Sequence, residues 1–484
     1  MPSRRKLLAA SNRGPFSLVT DEQGEIVAER GGGGLVSAMQ SALAEGDGLW
    51  ICSALNDRER AIARRTNGSL DEAGFDTGDL DVRMLAIDPT TFGRAYNGIA
   101  NSTLWFINHM LYDVPSKPVF DAAWRRQWAS YVRYNATFAA ALTDTADKGA
   151  TVMVQDYHLF LAPDLLRDRR PDVRIGHFTH TPWAPPYYFR MLPDDVAAAV
   201  LEGLLGADHL GFHSERWAEN FVQCCADVLD VEVTDGGHTV TYEGRATHVG
   251  VHGLGTDETA LRERAARRDV ERKLADLRDE VGDRLLITRV DRSELSKNIV
   301  RGLLAYRELL RTKPEWHGKV VHAVYAYPSR NDIPEYREYA GAVQRLGSEI
   351  DDEFGTDDWA PLVLETGHDY PGSLAAMRRA DVMLINPVRD GMNLVAQEGC
   401  ILSEPGAALV LSREAGAVDL LGEDALLVNP FDVSGTAEVL DTALRMPAAE
   451  RADRNRRLIT ASTALPPAEW FAEQLEAVRR SACS

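Results

Sequence analysis

Short apolar runs and longer amphipathic stretches alternate along the whole chain. The runs at 6–10, 150–155, 173–178, 285–288, 320–324, 381–386 and 408–411 are predominantly apolar on consecutive positions. A strand with one wet face alternates polar and apolar residues. A strand apolar throughout is covered on both faces, as in a parallel sheet. The stretches at 120–141, 194–205 and 298–311 between these runs are predicted helices. Glycines at Gly250, Gly253 and Gly255 interrupt the alternation before a charged stretch, predicted as one helix over 258–281. A second strand–helix set starts at Leu285. The expectation is α/β with two doubly wound domains, 1–255 and 256–465, and a last helix at 466–484 that is a candidate to pack back on the first domain. A length of 484 residues agrees with more than one core. Ligands in such sheets bind beyond the strand C-termini, so two such domains predict a cleft where those ends face each other.

The segment Arg389-Asp390-Gly391-Met392-Asn393-Leu394-Val395-Ala396-Gln397-Glu398 follows the apolar run 381–387. Strand, glycine turn and helix start together make an anion site, because the first helical N–H groups are unpaired and the helix dipole favours negative charge. Asp390 and Glu398 flank it, eight residues apart. Carboxylates suit sugar and ribose hydroxyls, which donate, so the segment reads as a nucleotide-sugar site.

Arg292 and Lys297 follow the run at 285–288 in the segment from Asp291 to Lys297 (DRSELSK). Two cations there suit a leaving diphosphate, the arginine as a fork and the lysine as a point charge. A surface charge cluster with Asp291 and Glu294 fits the same residues. Asp156 and His180 close two predicted strands, where polar groups in an α/β sheet usually do chemistry, and are candidates for sugar hydroxyls. His158 and His177 read as structural histidines, and no ligand spacing such as HExxH favours a metal. Arg13 follows the first strand. The glycine run Gly31 to Gly34 precedes an amphipathic helix, and either a ligand loop or a flexible loop fits it. Tyr96 and Trp105 lie in an aromatic-rich segment whose spacing alone suggests core.

A net charge of −20 argues against a nucleic-acid binder without excluding small phosphate ligands. The five cysteines form no CxxC pair and suggest neither a disulfide framework nor a zinc site. The apolar run at 7–10 is too short for a signal peptide, and no run approaches a membrane span. The expected location is cytoplasmic, and the oligomeric state stays open, a homo-oligomer included.

Together these segments resemble the trehalose-6-phosphate synthase family of retaining glycosyltransferases. The markers are SNR at 11–13, GGGGL at 31–35, Tyr96-Asn97 with Trp105, QDYHL at 155–159 and HFTHTPW at 177–183. LLGADHLGFH at 204–213, VDRSELSK at 290–297, YPSRND at 327–332 and RDGMNLVAQE at 389–398 complete them. The resemblance implies the GT-B fold, two Rossmann-like domains facing across a cleft. It implies transfer of glucose from a nucleoside-diphosphate glucose to glucose 6-phosphate, with no cofactor and no metal. Arg292 and Lys297 are then expected on the donor diphosphate, Glu398 on the ribose, and Asp390 on a glucose hydroxyl. The backbone of Gly391, Met392, Asn393 and Leu394, with Gly33 and Gly34, is expected to meet the donor. Asp156 and His180 are expected near the reaction centre, and Arg13, Tyr96, Trp105 and Arg330 around glucose 6-phosphate.

Two departures bear on the nucleotide. Ser53 stands where the family's LW-x-G-W segment has a second tryptophan, and Asn386 replaces a threonine, giving INPVRDGMNL. The loop 367–372 also differs from the usual pattern. Ser53 and Asn386 resemble the validamycin pseudo-glycosyltransferase, which uses a GDP-linked donor, and an amide can pair with guanine edges. These residues favour GDP-glucose over UDP-glucose, with Asn386 as a donor contact. Asn386 as a plain strand-end hydrogen-bonder is the other reading. A pseudo-glycosyltransferase joining a GDP-cyclitol to an amino-cyclitol phosphate, or a silent sugar-phosphate sensor, are the competing functions. The intact RDGMNLVAQE argues against the first and the retained Arg292, Lys297, Asp390 and Glu398 against the second.

Overall fold

A computed structural model of the chain describes residues 5–21, 23–31, 36, 39, 43 and 48–481. The chain divides into two compact units, Met1–Leu254 with Pro466–Ser484, and Gly255–Leu465.

The strands of the first unit are β1 (Arg5–Ser11), β2 (Phe16–Thr20), β3 (Ile26–Arg30), β4 (Leu49–Ser53), β5 (Asp81–Leu85) and β6 (Ala146–Gln155). They continue with β7 (Arg174–Thr179), β8 (His209–Phe212), β9 (Glu232–Thr234), β10 (Thr239–Tyr242) and β11 (Arg245–Val251). Among the described residues they form one large sheet in the order β5-β4-β1-β6-β7-β8-β11-β10-β9, and a separate β2-β3 hairpin. The sheet is parallel from β5 to β11, with antiparallel pairing only at the β10 and β9 edge. Leu8, Ala9, Ala10, Val152, Val154 and Ile175 are fully buried, as continuous apolar strands require. The last helix, Pro467–Ser481, belongs to this unit. Its buried Trp470 sets an edge on the Phe178 ring at 4.8 Å and donates from Nε1 to the His252 carbonyl at 3.0 Å.

The second unit has β12 (Leu285–Arg292), β13 (Val320–Tyr327), β14 (Leu362–Glu365), β15 (Val382–Ile385), β16 (Ala408–Ser412) and β17 (Leu426–Val428), all parallel, in the order β14-β13-β12-β15-β16-β17. Every residue of β15 is buried.

The stretch predicted as one helix over 258–281 is two helices, Glu258–Ala265 and Arg268–Val281. At about 100° per residue a continuous helix would put Leu261 and Ala265 on one face and Val270, Leu274, Leu277 and Val281 on the other. The break at Ala266 and Arg267 brings both sets into the core, and the Arg264–Asp269 ion pair spans it at 2.8 Å. Among the described residues no helix is long and apolar enough to cross a membrane.

Candidate active site

In the second unit the chain runs outward from β12 to β14, then returns beside β12 to start again at β15. Such a reversal opens a crevice at the strand C-termini. Loops 293–298 and 386–393 leave β12 and β15 at that point, and Val388 N donates to the Ser296 carbonyl at 2.8 Å.

Arg289, fully buried in β12, ties these loops together. Its Nη1 donates to Asn386 Oδ1, its Nη2 to the Lys297 carbonyl, and its Nε lies 3.0 Å from Asp291 Oδ2. The glycine at Gly302 makes room for it, since a Cβ there would come within 2.4 Å of Nη1. Sequence reasoning missed this residue. The signal was one arginine inside an apolar strand, a charge that burial tolerates only when paired.

The surroundings of Asn386 bear on its two readings, nucleobase contact and strand-end hydrogen-bonder. Its side chain is 1% exposed, its amide oxygen is held by a buried cation, and its carbonyl accepts from Asn298 Nδ2 at 2.9 Å. These bonds and this burial fit the strand-end hydrogen-bonder.

Lys297 Nζ lies 2.5 Å from Asp390 Oδ2 and 3.8 Å from Asp291 Oδ1. Burial works against the ammonium, but Asp390 and Asp291 outweigh it and raise its pKa, so the lysine stays charged. Asp390 also accepts from Asn393 Nδ2 at 3.0 Å, and Asn393 caps the helix Leu394–Leu402 through Ala396 N. Met392 is buried, and its carbonyl accepts from Ala417 N at 2.8 Å. Gly391 to Leu394 is therefore a backbone segment fixed from several sides at a helix start, where Leu394 and Val395 lack intrahelical acceptors.

Arg292, at the end of β12, is half exposed and reaches Glu294 Oε1 with Nη1 at 3.1 Å. Arg330 follows β13 with φ 45° and lies 3.3 Å from Glu294 Oε2. It also donates to the Tyr336 hydroxyl at 2.6 Å. Glu398, one turn into the 394–402 helix, is half-buried with no hydrogen-bond partner among the described residues. Burial pushes its carboxyl up to about 7. In the loop 367–372, Asp369 caps the following helix and pairs with Lys273 at 2.7 Å, and His368 stacks on Tyr327 at 5.9 Å.

The first unit has its own reversal between β1 and β6. Arg13, after β1, reaches the Tyr96 hydroxyl at 3.5 Å, and the Tyr96 ring lies between Phe92 and His158. Tyr96 belongs to a π-helix, Arg94–Leu104, and Trp105 starts the next helical turn, stacked on His109 and tilted against Tyr157. Asp156 follows β6 with φ 71°, and its Oδ1 accepts from His180 N at 3.2 Å. Of the described non-glycine residues with positive φ, Asp156, Asn298, Arg330 and Asn393 sit at these strand ends, where strained backbone commonly marks function.

His180 is held at both ring nitrogens. With Gln155 Oε1 as acceptor at 3.0 Å, Nε2 carries the proton and Nδ1 accepts from His213 Nε2 at 3.2 Å. Burial, then the neighbouring His213 and His177, keep its pKa well below the usual range, so the ring is neutral. A sugar hydroxyl would have to displace one of these partners. His177 is buried with its pKa lowered to about 3, as a structural histidine should be. Ser53 is also buried. Its hydroxyl donates to Tyr134, whose hydroxyl donates in turn to Asn12 Oδ1. Gly33 and Gly34 lie outside the described residues.

The model of glycosyltransferase family 20 matches residues 5–480. The chain belongs to this family. It is a retaining glycosyltransferase of the trehalose-6-phosphate synthase family, with the two Rossmann-like units of the GT-B fold. Among its relatives, the trehalose-6-phosphate synthase of Mycobacterium avium is 33% identical, over 98% of this chain and 95% of its own length. A probable UDP-forming alpha,alpha-trehalose-phosphate synthase of Arabidopsis thaliana is 32% identical over 94% of this chain. The chain spans about half that relative's length, 54%. Among solved structures, the E. coli trehalose-6-phosphate protein bound with UDP-2-fluoro glucose superposes with a TM-score of 0.86. It is 28% identical and covered over 98% of this chain and 99% of its own. A UDP-forming synthase from Burkholderia xenovorans in complex with glucose-6-phosphate gives 0.83 at 26% identity, over 98% and 100%.

The expectation of GDP-glucose is thereby corrected. The Arabidopsis and Burkholderia proteins are UDP-forming and the E. coli structure holds a UDP sugar. The two departures that suggested guanine are both engaged elsewhere in the structure: the Asn386 amide oxygen is bonded to Arg289, and the Ser53 hydroxyl is bonded within the core.

Proposed function

We propose that the chain is a trehalose-6-phosphate synthase that transfers glucose from UDP-glucose to glucose 6-phosphate with retention. The observation that carries the reading is the set at the β12–β15 reversal: Arg292 and Lys297 after one strand, Asp390 and Glu398 after the other. Two cations suit a diphosphate and two carboxylates suit hydroxyls. The UDP sugar in the E. coli structure and the glucose-6-phosphate in the Burkholderia structure support the two substrates.

In this reading Arg292 and Lys297 neutralise the departing diphosphate, helped by the N–H groups from Gly391 to Leu394. Glu398, as a carboxylate, accepts from the ribose, and Asp390 from a glucose hydroxyl once Lys297 turns to phosphate. Arg13, Tyr96 and Trp105 engage glucose 6-phosphate, and Arg330 is a ligand for its phosphate. Asp156 and His180 contact the donor sugar, while Gly33 and Gly34 approach the donor. The acceptor's anomeric hydroxyl attacks the anomeric carbon from the face the diphosphate leaves, through an oxocarbenium-like transition state. The leaving phosphate takes the acceptor proton, so no protein nucleophile is needed. Catalysis then rests on positioning and on preorganised charge.

The test is nucleoside diphosphate release by the purified protein with glucose 6-phosphate and UDP-glucose, with GDP-glucose in parallel. UDP release that depends on the acceptor, with trehalose 6-phosphate as product, is expected. Absence of release with UDP-glucose would overturn the proposal.

A further inference from the structure

Glu294 is fully buried, yet three polar groups converge on it. Its Oε1 lies 3.1 Å from Arg292 Nη1 and accepts from Ser329 Oγ at 2.8 Å, and its Oε2 lies 3.3 Å from Arg330 Nη1. Its backbone is fixed too, since its N–H donates to the Arg292 carbonyl and its carbonyl accepts from Lys297 N. We propose that Glu294 is a positioning residue that holds Arg292 and Arg330 together as one anion-binding pair. The inference rests on the reading of Arg292 as a diphosphate ligand and Arg330 as an acceptor-phosphate ligand.

Two guanidinium groups repel each other, and each long side chain has rotamer freedom to lose when it grips a phosphate. A carboxylate between them cancels the repulsion and orders both forks before ligand arrives. Arg292 is held by one nitrogen while its side chain remains 53% exposed, so its fork is oriented without being consumed. Arg330 is fixed further by its left-handed backbone, its bond to the Tyr336 hydroxyl and the Tyr336 ring 5.3 Å below it. Burial works to raise the Glu294 carboxyl, but Arg292, Arg330, Lys297 and the Ser329 hydroxyl overcome it and leave it at about 2. The bridge is therefore charged at any working pH. One negative group shared by two arginines leaves the trio with a net positive charge, which a phosphate can still meet.

The test compares wild type with Glu294→Gln, which keeps shape and removes charge, and Glu294→Asp, which keeps charge. UDP affinity is read by calorimetry, and KM for UDP-glucose and glucose 6-phosphate by UDP release. Glu294→Gln is expected to weaken UDP and to raise both KM values about tenfold or more, with Glu294→Asp between it and wild type. In wild type, Arg330→Ala should raise the UDP-glucose KM as well as that of glucose 6-phosphate, because Glu294 is freed to draw Arg292 inward. In the Glu294→Gln background, Arg330→Ala should affect glucose 6-phosphate alone. A folded Glu294→Gln with unchanged UDP affinity, or a rise in only one KM, overturns the inference. If Glu294→Gln does not fold, Glu294→Asp with wild-type values overturns it equally. If wild type binds UDP but makes no trehalose 6-phosphate, the functional proposal fails, and UDP affinity in Glu294→Gln still decides for or against the positioning role. If wild type binds no UDP, both readings fall.

Discussion

The Lys297 ammonium is paired with the Asp390 carboxylate at 2.5 Å, across the two loops that leave β12 and β15. Both side chains are mostly buried, and of the carboxylates that keep the ammonium charged Asp390 acts most strongly, ahead of Asp291. A diphosphate would recruit the lysine and release the carboxylate for a sugar hydroxyl, which couples the two proposed donor contacts.

Lys297→Ala should lower turnover roughly 10²-fold, and it should also destabilise the fold by about 3 kcal/mol, because the mostly buried Asp390 loses the ammonium at 2.5 Å, while Asp291 keeps Arg289. Lys297→Ala with Asp390→Ala should recover much of the stability and none of the turnover. Denaturant unfolding and steady-state rates separate the two effects. Near-normal turnover in Lys297→Ala would remove it from the diphosphate.

The unpaired Glu398 carboxyl predicts a pH dependence. In its proposed role it accepts from ribose hydroxyls far more strongly as a carboxylate than as a neutral acid, and burial raises its pKa to about 7. UDP binding should be constant above about pH 8 and weaken by up to about tenfold per unit below 7, until the lower pKa of the complex is reached. Glu398→Gln should flatten that profile. The stability effect has the opposite sense. A pKa raised above its ordinary 4.5 gives stability that is present below that value and is lost as pH rises through 7. Glu398→Gln should therefore melt higher than wild type at pH 8 and not at pH 4.

Asn386→Ala should cost about 1–3 kcal/mol of stability, since it strips a buried arginine of one acceptor. The ratio of kcat/KM for UDP-glucose and GDP-glucose should not change. A shift of that ratio toward UDP-glucose would restore the amide to a nucleobase role.

In the first unit, Arg13→Ala should raise the KM for glucose 6-phosphate about tenfold or more while UDP affinity stays the same. Ser53→Ala removes one donor from the Ser53–Tyr134–Asn12 chain and should cost about 1 kcal/mol with no change in that KM. An acceptor KM that follows Ser53 and ignores Arg13 would reverse this assignment.

Much of the fold was legible in the chain. The seven apolar runs all became parallel strands, because burial on both sheet faces leaves a continuous apolar pattern that needs no tertiary knowledge to see. Less legible were β4, β5 and β8, which are short and lie among polar neighbours, and the π-helix carrying Tyr96, whose period differs from the usual helical one. The break after Ala265 was written in the apolar spacing but hidden by the charge density around it.

The motifs that carry the family, and with them the residue types at each strand end, follow from local order along the chain. Strand, turn and helix cap are short-range events, set by neighbours a few residues apart. Which groups meet was another matter. Lys297 and Asp390 are 93 residues apart, Arg289 and Asn386 are 97, and Glu294 and Arg330 are 36. Whether Asn386 faces a nucleotide or a buried arginine depends on the register of β12 against β15, and whether Glu294 is surface charge or a buried bridge depends on where β13 delivers Arg330. Pairings of that range are chosen by sheet order and packing, because a side chain's electrostatic partner is its neighbour in space and not along the chain.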